Sequence, residues 1–380
     1  MSRQKNVLLI LGRYLHSIHL GVAQYAGQHH WHLNAYMASK MVVPKGWKGD
    51  GIITALDERS DLVRFVRQAV EPVVDVVLMR PEVDLPRVIG NHELIGQLAA
   101  EHFLERGLRH FAWFSHRFAN VERLRCAAYS RSLIRHGFEV HRLVWAENCQ
   151  DQSDGWLPMR KWLGRELRKL PKPVGAFAFN DYEASDLLDA CLFHGLAVPD
   201  DVAILGVDNN ELVCTSQAVP LSSVNHDQLR IGREAAALLD RLMRGKPRPK
   251  EPILIPPDGI TLRRSTDTVA VNQPQVRAAL EFLRQNYQRS LGTEQVAQAA
   301  RISRRALEKA FKQYLNRSVH QELERLRLHR VKEFLLHTDL PVVDIAAQTG
   351  FAHAQHLNNV FKRATGQTPI RFRRSHSPKP

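Results

Sequence analysis

Two regimes of hydrophobic patterning divide the 380-residue chain. Through about residue 265, short continuous apolar runs alternate with longer amphipathic stretches. The runs Val7–Leu11, Gly51–Thr54, Val73–Leu78, Phe111–Phe114, Ala176–Phe179 and Val202–Val207 have the length of strands. They are apolar at successive positions rather than at every second one, the pattern of parallel strands buried on both faces. Between them the helical period appears at Leu62–Ala69, Ile95–Arg106, Arg123–His136, Trp156–Leu170, Asp181–His194 and Leu229–Arg244. Strand–helix–strand alternation predicts a doubly wound α/β fold. Gly107 reads as a helix C-cap ahead of the next strand.

The second regime begins after residues 245–259, whose five prolines exclude a helix and leave room for one short strand, Ile253–Ile255. From Gln275 onward only helical patterns remain: Val276–Tyr287, Glu294–Ala300, Arg304–Leu315, His320–His337, Val342–Thr349 and Ala354–Thr365. Gly366 follows as a C-cap with Pro369 beyond it. The expected division is an α/β domain over 1–265, a hinge over 266–274, an all-α domain over 275–374 and a disordered tail over 375–380.

Within the helical domain two segments repeat one plan, residues 296–311 and 345–361. Each has an early small residue where two helices must cross (Ala297, Ala346), then a turn, then an apolar anchor (Leu307, Leu357) and a phenylalanine four residues on (Phe311, Phe361). That is the logic of a helix-turn-helix, in which the first helix braces and the second enters the major groove. Gly350 stands where a left-handed backbone is wanted, and Arg301 occupies that place in the first unit. Ser303 suits an N-cap, which puts Arg304 and Arg305 in the first turn of a recognition helix, where arginine can donate to guanine. His353, Gln355, His356 and Asn359 lie at the equivalent end of the second helix. Lys309, Lys312, Lys362 and Arg363 suit phosphates. A plain αα-hairpin with a solvated basic face would explain one such pair, but less readily two in tandem.

Charge sharpens this picture. The chain carries a formal net charge of +14, of which residues 266–380 hold +10 and the rest +4. A basic domain of this kind suits a polyanion, because neutralising phosphates releases counterions. The four cysteines, Cys126, Cys149, Cys191 and Cys214, have no zinc spacing and read as reduced, mostly buried thiols. No run approaches the roughly 20 apolar residues of a membrane span, and Val7–Leu11 is too short for a signal-peptide core, so a cytoplasmic protein without a membrane partner is expected. G-x-S-x-G, P-loop and G-x-G-x-x-G motifs are missing, and His29, His30 and His32 do not face one another as metal ligands would. Neither an enzyme, a metal site nor a cofactor is expected.

Residues 291–374 resemble the AraC-type DNA-binding domain, on the run from Leu291 to Phe351 and on Gly350-Phe351, Phe361-Lys362, Gly366, Thr368-Pro369 and Arg371 or Arg373. Residues 179–239 resemble the sugar-binding domain of LacI-type regulators, on the Val-Pro-Asp-Asp-Val-Ala-Ile-Leu-Gly-Val-Asp-Asn phrase and on Leu-Ser-Ser-Val. This order of domains resembles the xylose operon regulatory protein family. The resemblance implies a bilobed periplasmic-binding-protein-like α/β domain of two doubly wound parallel sheets, followed by an all-α domain with two helix-turn-helix units. It also implies a transcription regulator, an activator, controlled by xylose or a related monosaccharide and acting on double-stranded DNA. A homodimer and contact with RNA polymerase are expected. The alternative is a ligand-independent regulator whose first domain serves only dimerisation.

Asp181 and Asp208 follow strands, where open α/β sheets bind ligands, and Asn180 accompanies the first. Asp181 also suits a helix N-cap, and Asp208 a turn. Arg125 matches the family's arginine in the helix after Phe111–Phe114. Where family members carry polar sugar-contacting loops, this chain has GRYLHSIHL after the first strand, Asn91-His92 before the helix at Ile95, and SHRFANVE after Phe114. Arg13, Tyr14, Asp57 and His92 are the candidates for lining that half of the cleft.

Overall fold

The computed structural model describes residues 3–40, 42–147, 155–267, 273–315 and 317–376. Two compact units follow one another, Met1–Thr268 and Val269–Pro380. Most of the expected hinge, and residues 377–380 of the expected tail, lie outside the described residues, as does Cys149.

The first unit has two lobes. The N-terminal lobe runs β1 (Lys5–Leu11), α1 (His16–Gln28), β2 (Trp31–Asn34), α2 (Tyr36–Lys40), β3 (Gly51–Ala55), α3 (Ser60–Gln68), β4 (Val73–Asp75) and β5 (Val88–Gly90). The chain then crosses into the second lobe: α4 (His92–Glu105), β6 (His110–Ser115), α5 (Asn120–Ile134), β7 (Val140–Val144), α6 (Trp156–Lys169), β8 (Val174–Ala178), α7 (Asp181–Phe193), β9 (Val202–Val207), α8 (Glu211–Thr215) and β10 (Ser222–Val224). It returns through α9 (Gln228–Met243) and β11 (Ile253–Ile255), and crosses a third time to β12 (Ile260–Thr261).

Parallel strands β2-β1-β3-β4 make the first sheet, and β11 pairs with β5 beside it. The second sheet has the order β12-β10-β9-β8-β6-β7, parallel but for β12. Every residue of β3, β8 and β9 is buried, which is why these strands read as unbroken apolar runs. One core packs α1 and α9 against the first sheet, and another packs α6 and α7 against the second.

The structure shortens one expected strand. The run Val73–Leu78 leaves the sheet at Asp75, whose buried carboxylate accepts from the Leu56 and Val77 amides and from Arg87 Nε at 3.1 Å. The released residues Val76–Met79 form an apolar wall instead.

The second unit is all helix: α10 (Pro274–Asn286), α11 (Thr293–Ala299), α12 (Arg304–Leu315), α13 (Val319–His337), α14 (Val342–Gln348), α15 (Ala354–Thr365) and α16 (Pro369–His376). The last is an addition to the sequence reading, and it carries helix through Ser375-His376, where a tail was expected. Two cores form, one around Leu307 and Phe311 and one around Leu357 and Phe361, and α13 contributes to both. Among the described residues no helix is long and apolar enough to cross a membrane. Cys126, Cys191 and Cys214 are buried and free.

Candidate functional site

Carboxyl ends of strands from both lobes of the first unit meet at a cleft of about 560 Å³, the size of small-molecule sites in general. Its two walls differ. The N-terminal lobe contributes Leu15, Ile18 and Val76–Met79, with Arg13 and Asp57 at the rim. The second lobe contributes His116, Glu122, Arg125, Asn180, Glu183 and Asp208. Asn120 Nδ2 donates to the Leu78 carbonyl at 2.8 Å, and Arg117 pairs with Glu58, so both contacts join the lobes.

Arg125 lies at the centre, 3% exposed. Its Nη1 donates to the Phe179 carbonyl at 2.6 Å, its Nε to His92 Nδ1 at 3.2 Å, and its guanidinium covers the Phe179 ring. Arginine only donates, so His92 Nδ1 must be bare and its proton belongs on Nε2. Burial, then the charge of Arg125, hold His92 well below the usual histidine range, consistent with that neutral form.

Asp208 follows β9 with φ +102 and meets His226 Nδ1 at 3.1 Å. Burial alone would raise its carboxyl, but the hydrogen bond and charge of His226, with Arg125 and Arg13, outweigh it and leave Asp208 below its ordinary value. His226 itself is lowered by burial, against the pull of Asp208. The ring takes the space of a side chain at residue 90: a Cβ on Gly90 would lie 1.8 Å from His226 Nε2.

The remaining expected residues divide. Asn180 lines the cleft and caps α7, its Oδ1 accepting from the Glu183 amide at 2.9 Å. Arg13 and Asp57 line it from the N-terminal lobe; His92 lines it too, but from the start of α4 in the second lobe, beside Arg125, and not from the half expected. Asp181 and Tyr14 do not line it. Asp181, rather than capping α7, is 1% exposed beneath the strand ends, where its carboxylate accepts from Ser223 Oγ at 2.6 Å and the Asn210 amide at 2.7 Å. It fastens the segment that carries Asp208. Burial, then the negative charge of Asp208, push its carboxyl up to about 7, against those two hydrogen bonds. Tyr14 is 46% exposed, and its hydroxyl meets His19 Nδ1.

Polar lining residues that the sequence reading did not name include His116, Arg117, Glu122, Glu183, His226 and Gln228. His116 Nε2 pairs with Asp186 at 2.8 Å. Burial works to lower this histidine, but Asp186 and nearby Glu183 raise it on balance. His116 and Glu122 fall in the SHRFANVE loop and the helix start after it, so its unusual composition was the available signal.

In the second unit, the helix pairs α11–α12 and α14–α15 repeat one geometry. Ala297 and Ala346, Leu307 and Leu357, and Phe311 and Phe361 are all buried to within 1%. The turns hold left-handed residues at the anticipated places, Arg301 at φ +55 and Gly350 at φ +78. Ser303 Oγ accepts from the Ala306 amide at 3.2 Å, and His353 Nδ1 from the His356 amide at 3.1 Å, so both residues cap the second helix of their pair. Arg304, Arg305, Lys309, Gln355, His356, Asn359, Lys362 and Arg363 are exposed. Four are partly committed within the protein: Arg304 to Glu308 at 3.0 Å, Gln355 and Asn359 to each other at 3.1 Å, and Arg363 to Glu324 on α13 at 2.7 Å.

Comparisons with known proteins agree with both halves. Residues 100–266 match a periplasmic binding protein-like domain and residues 296–375 a helix-turn-helix domain. The chain is 29% identical over 333 residues to the xylose operon regulatory protein of Haemophilus influenzae, covering 85% of this chain and 84% of that one. It is 28% identical over 336 residues to the protein of the same description in Escherichia coli K12, covering 87% and 85%. A solved structure described as the xylose-binding transcription activator xylR matches with a TM-score of 0.67 at 24% identity, over 99% of this chain and 100% of that one. A periplasmic binding protein/LacI transcriptional regulator from Alkaliphilus metalliredigens in complex with D-xylulofuranose matches with a TM-score of 0.52 at 17% identity, over 70% of this chain and 100% of that one.

Proposed function

This chain belongs to the family of xylose operon regulatory proteins, and from that premise we propose that it is an activator of transcription whose DNA-binding unit is controlled by a sugar held in the cleft. That it is a transcription regulator with a helix-turn-helix domain follows from the family; the sugar, the activation and the residues below are the proposal. The observation that carries it is the polar wall around Arg125 and Asp208, facing an apolar wall in a two-lobed cleft, in one chain with paired helix-turn-helix units. Sugar hydroxyls buried from water need such replacement partners. Relatives described as xylose regulators, and a fold neighbour holding D-xylulofuranose, support a monosaccharide effector.

In this reading Arg125, Asp208, Asn180 and His92 hold the ligand from the second lobe, and Arg13 and Asp57 approach from the other side of the cleft. Asp181 positions Asp208. Binding favours one arrangement of the lobes only by the difference in affinity between arrangements. Arg305, His356 and Asn359 read base edges, with Arg304 and Gln355 released from their intramolecular partners. Lys309, Lys362 and Arg363 meet phosphates, and Ser303 and His353 fix the helix starts. A homodimer presents two such units and recruits RNA polymerase.

The test is a thermal-shift scan of the full chain against pentoses and hexoses, followed by DNA binding with and without the hit. A sugar that raises the melting temperature and changes affinity for selected DNA supports the reading. Sequence-specific DNA binding that no sugar alters would support ligand-independent regulation instead.

A further inference from the structure

Helix α13 passes from one core of the second unit to the other within three residues. Leu326 packs with residues of α10, α11 and α12, and Leu328 with residues of α14 and α15. Arg327 stands between them. Its Nε donates to the Tyr287 carbonyl at 2.9 Å and its Nη2 to the Arg289 carbonyl at 2.7 Å. Both acceptors lie in the turn that ends α10, where the helix presents its negative pole. Burial lowers the guanidinium, so these carbonyls hold a cation that has given up part of its water.

The second helix-turn-helix pair backs onto the same turn. Gly350 has φ +78, and a Cβ there would stand 2.6 Å from the Tyr287 carbonyl oxygen, 2.8 Å from that of Gln288 and 2.9 Å from Arg327 Nη2. Only a residue without a side chain lets the turn between α14 and α15 come so close. Phe351, the next residue, is buried in the second core, with its ring centroid 5.9 Å from the Arg327 guanidinium. Val276, Leu280 and Leu283 of α10 belong to the first core. One side chain therefore joins the end of a first-core helix to the turn of the second pair.

We propose that Arg327 is a positioning residue for DNA recognition. It docks the turn between α14 and α15 on the end of α10, and so fixes the angle between the two recognition helices, α12 and α15; this rests on the reading that both enter grooves of one duplex. Arginine suits the task because its planar fork donates in fixed directions, which a lysine ammonium does not. Each added base pair turns the second groove by about 35° and carries it about 3.4 Å further from the first. A fixed angle between the helices thereby becomes a fixed spacing between the two contacted DNA boxes.

The test is fluorescence anisotropy of the full chain on three DNAs: a duplex selected from random sequence, the same duplex with one base pair inserted between the boxes, and a duplex that keeps only the box met by α12. For the parent chain the insertion should cost at least about thirtyfold in affinity. Arg327→Met keeps the stem and removes the donors. It should bind the selected duplex about tenfold more weakly, lose less than about fivefold further on the insertion, and bind the single box within about threefold of the parent. Because Arg327 meets carbonyls and not phosphates, the salt slope should stay unchanged. Arg327→Lys should fall between. A variant that keeps the parent's penalty for the insertion, or that loses single-box and two-box binding equally, overturns the positioning role and leaves two groove-reading helices standing. So does a parent chain indifferent to the insertion; one indifferent also to the loss of a box overturns the two-groove reading with it. Should Arg327→Met not fold, as judged by circular dichroism, Arg327→Lys decides on the same ratios.

Discussion

Replacing Gly90 by alanine probes the join between fold and cleft. The new Cβ would stand 1.8 Å from His226 Nε2. Carbon–nitrogen contacts settle near 3.5 Å, so the ring must retreat by about 1.7 Å. The His226–Asp208 hydrogen bond, at 3.1 Å, cannot survive that movement. A hydrogen bond to a charged group contributes about 1.5–3 kcal/mol, and overpacking costs about 1–3 kcal/mol. Together they predict a loss of roughly 2.5–6 kcal/mol, or about 5–24 °C in melting temperature for a unit of this size. The assay is a double-mutant cycle by chemical denaturation, with Gly90→Ala made alone and over His226→Ala. Once the ring is gone, Gly90→Ala should cost less than about 1 kcal/mol, so the two changes are strongly non-additive. If the single variant melts within about 0.5 kcal/mol of the parent, or the two costs add, the packing of His226 on Gly90 is not what holds Asp208.

Other expectations follow from separate features. Glu183 has a folded-state value of about 8, above its unfolded one, so it favours folding while protonated and loses that contribution as pH rises from about 4.5 through 8; Glu183→Gln should gain stability relative to the parent across that window, checked by urea melts at pH 5 and pH 8. Gly350→Ala should destabilise the second unit by about 1–3 kcal/mol, because φ is +78 and a Cβ would meet the Tyr287 carbonyl at 2.6 Å; Arg301→Gly, at the matching turn, should cost nothing in the same melt. Arg305→Ala should relax preference at one base by about 1–3 kcal/mol, while Lys309→Ala should weaken all sequences alike and lower the salt slope by about one, read by fluorescence anisotropy over a salt series.

Legibility in the sequence followed the local physics. Buried parallel strands announce themselves as unbroken apolar runs, and their ends located Asn180 and Asp208 beside the cleft, whereas Arg125, inside a helix, came from the family resemblance. The two helix pairs were readable to the residue because Ala297, Leu307 and Phe311 recur as Ala346, Leu357 and Phe361. Helix α1 was not, since its buried face includes Gly21 and Ala26 and carries little apolar contrast. Strands β5 and β10 have three residues each, too few for a period. Asp181 and Glu183 sit two positions apart in one helical turn, yet the first turns under the sheet and the second into the cleft. That choice is made by Ser223 and the Asn210 amide, which lie far along the chain. Glu122 passed unremarked because an acid in a first helical turn has a sufficient local explanation.

Helix α13 spans 19 residues, about 28 Å at 1.5 Å per residue, and belongs to the cores of both helix pairs. Its exposed face should accept many substitutions. Its length should accept none: inserting one residue turns everything beyond it by about 100°. The second recognition helix would then face away from the groove that follows the first. Sequence drift and length drift are thus decoupled in this segment, and a half-turn of DNA added between the two contacted grooves should be as damaging as a residue added to the helix.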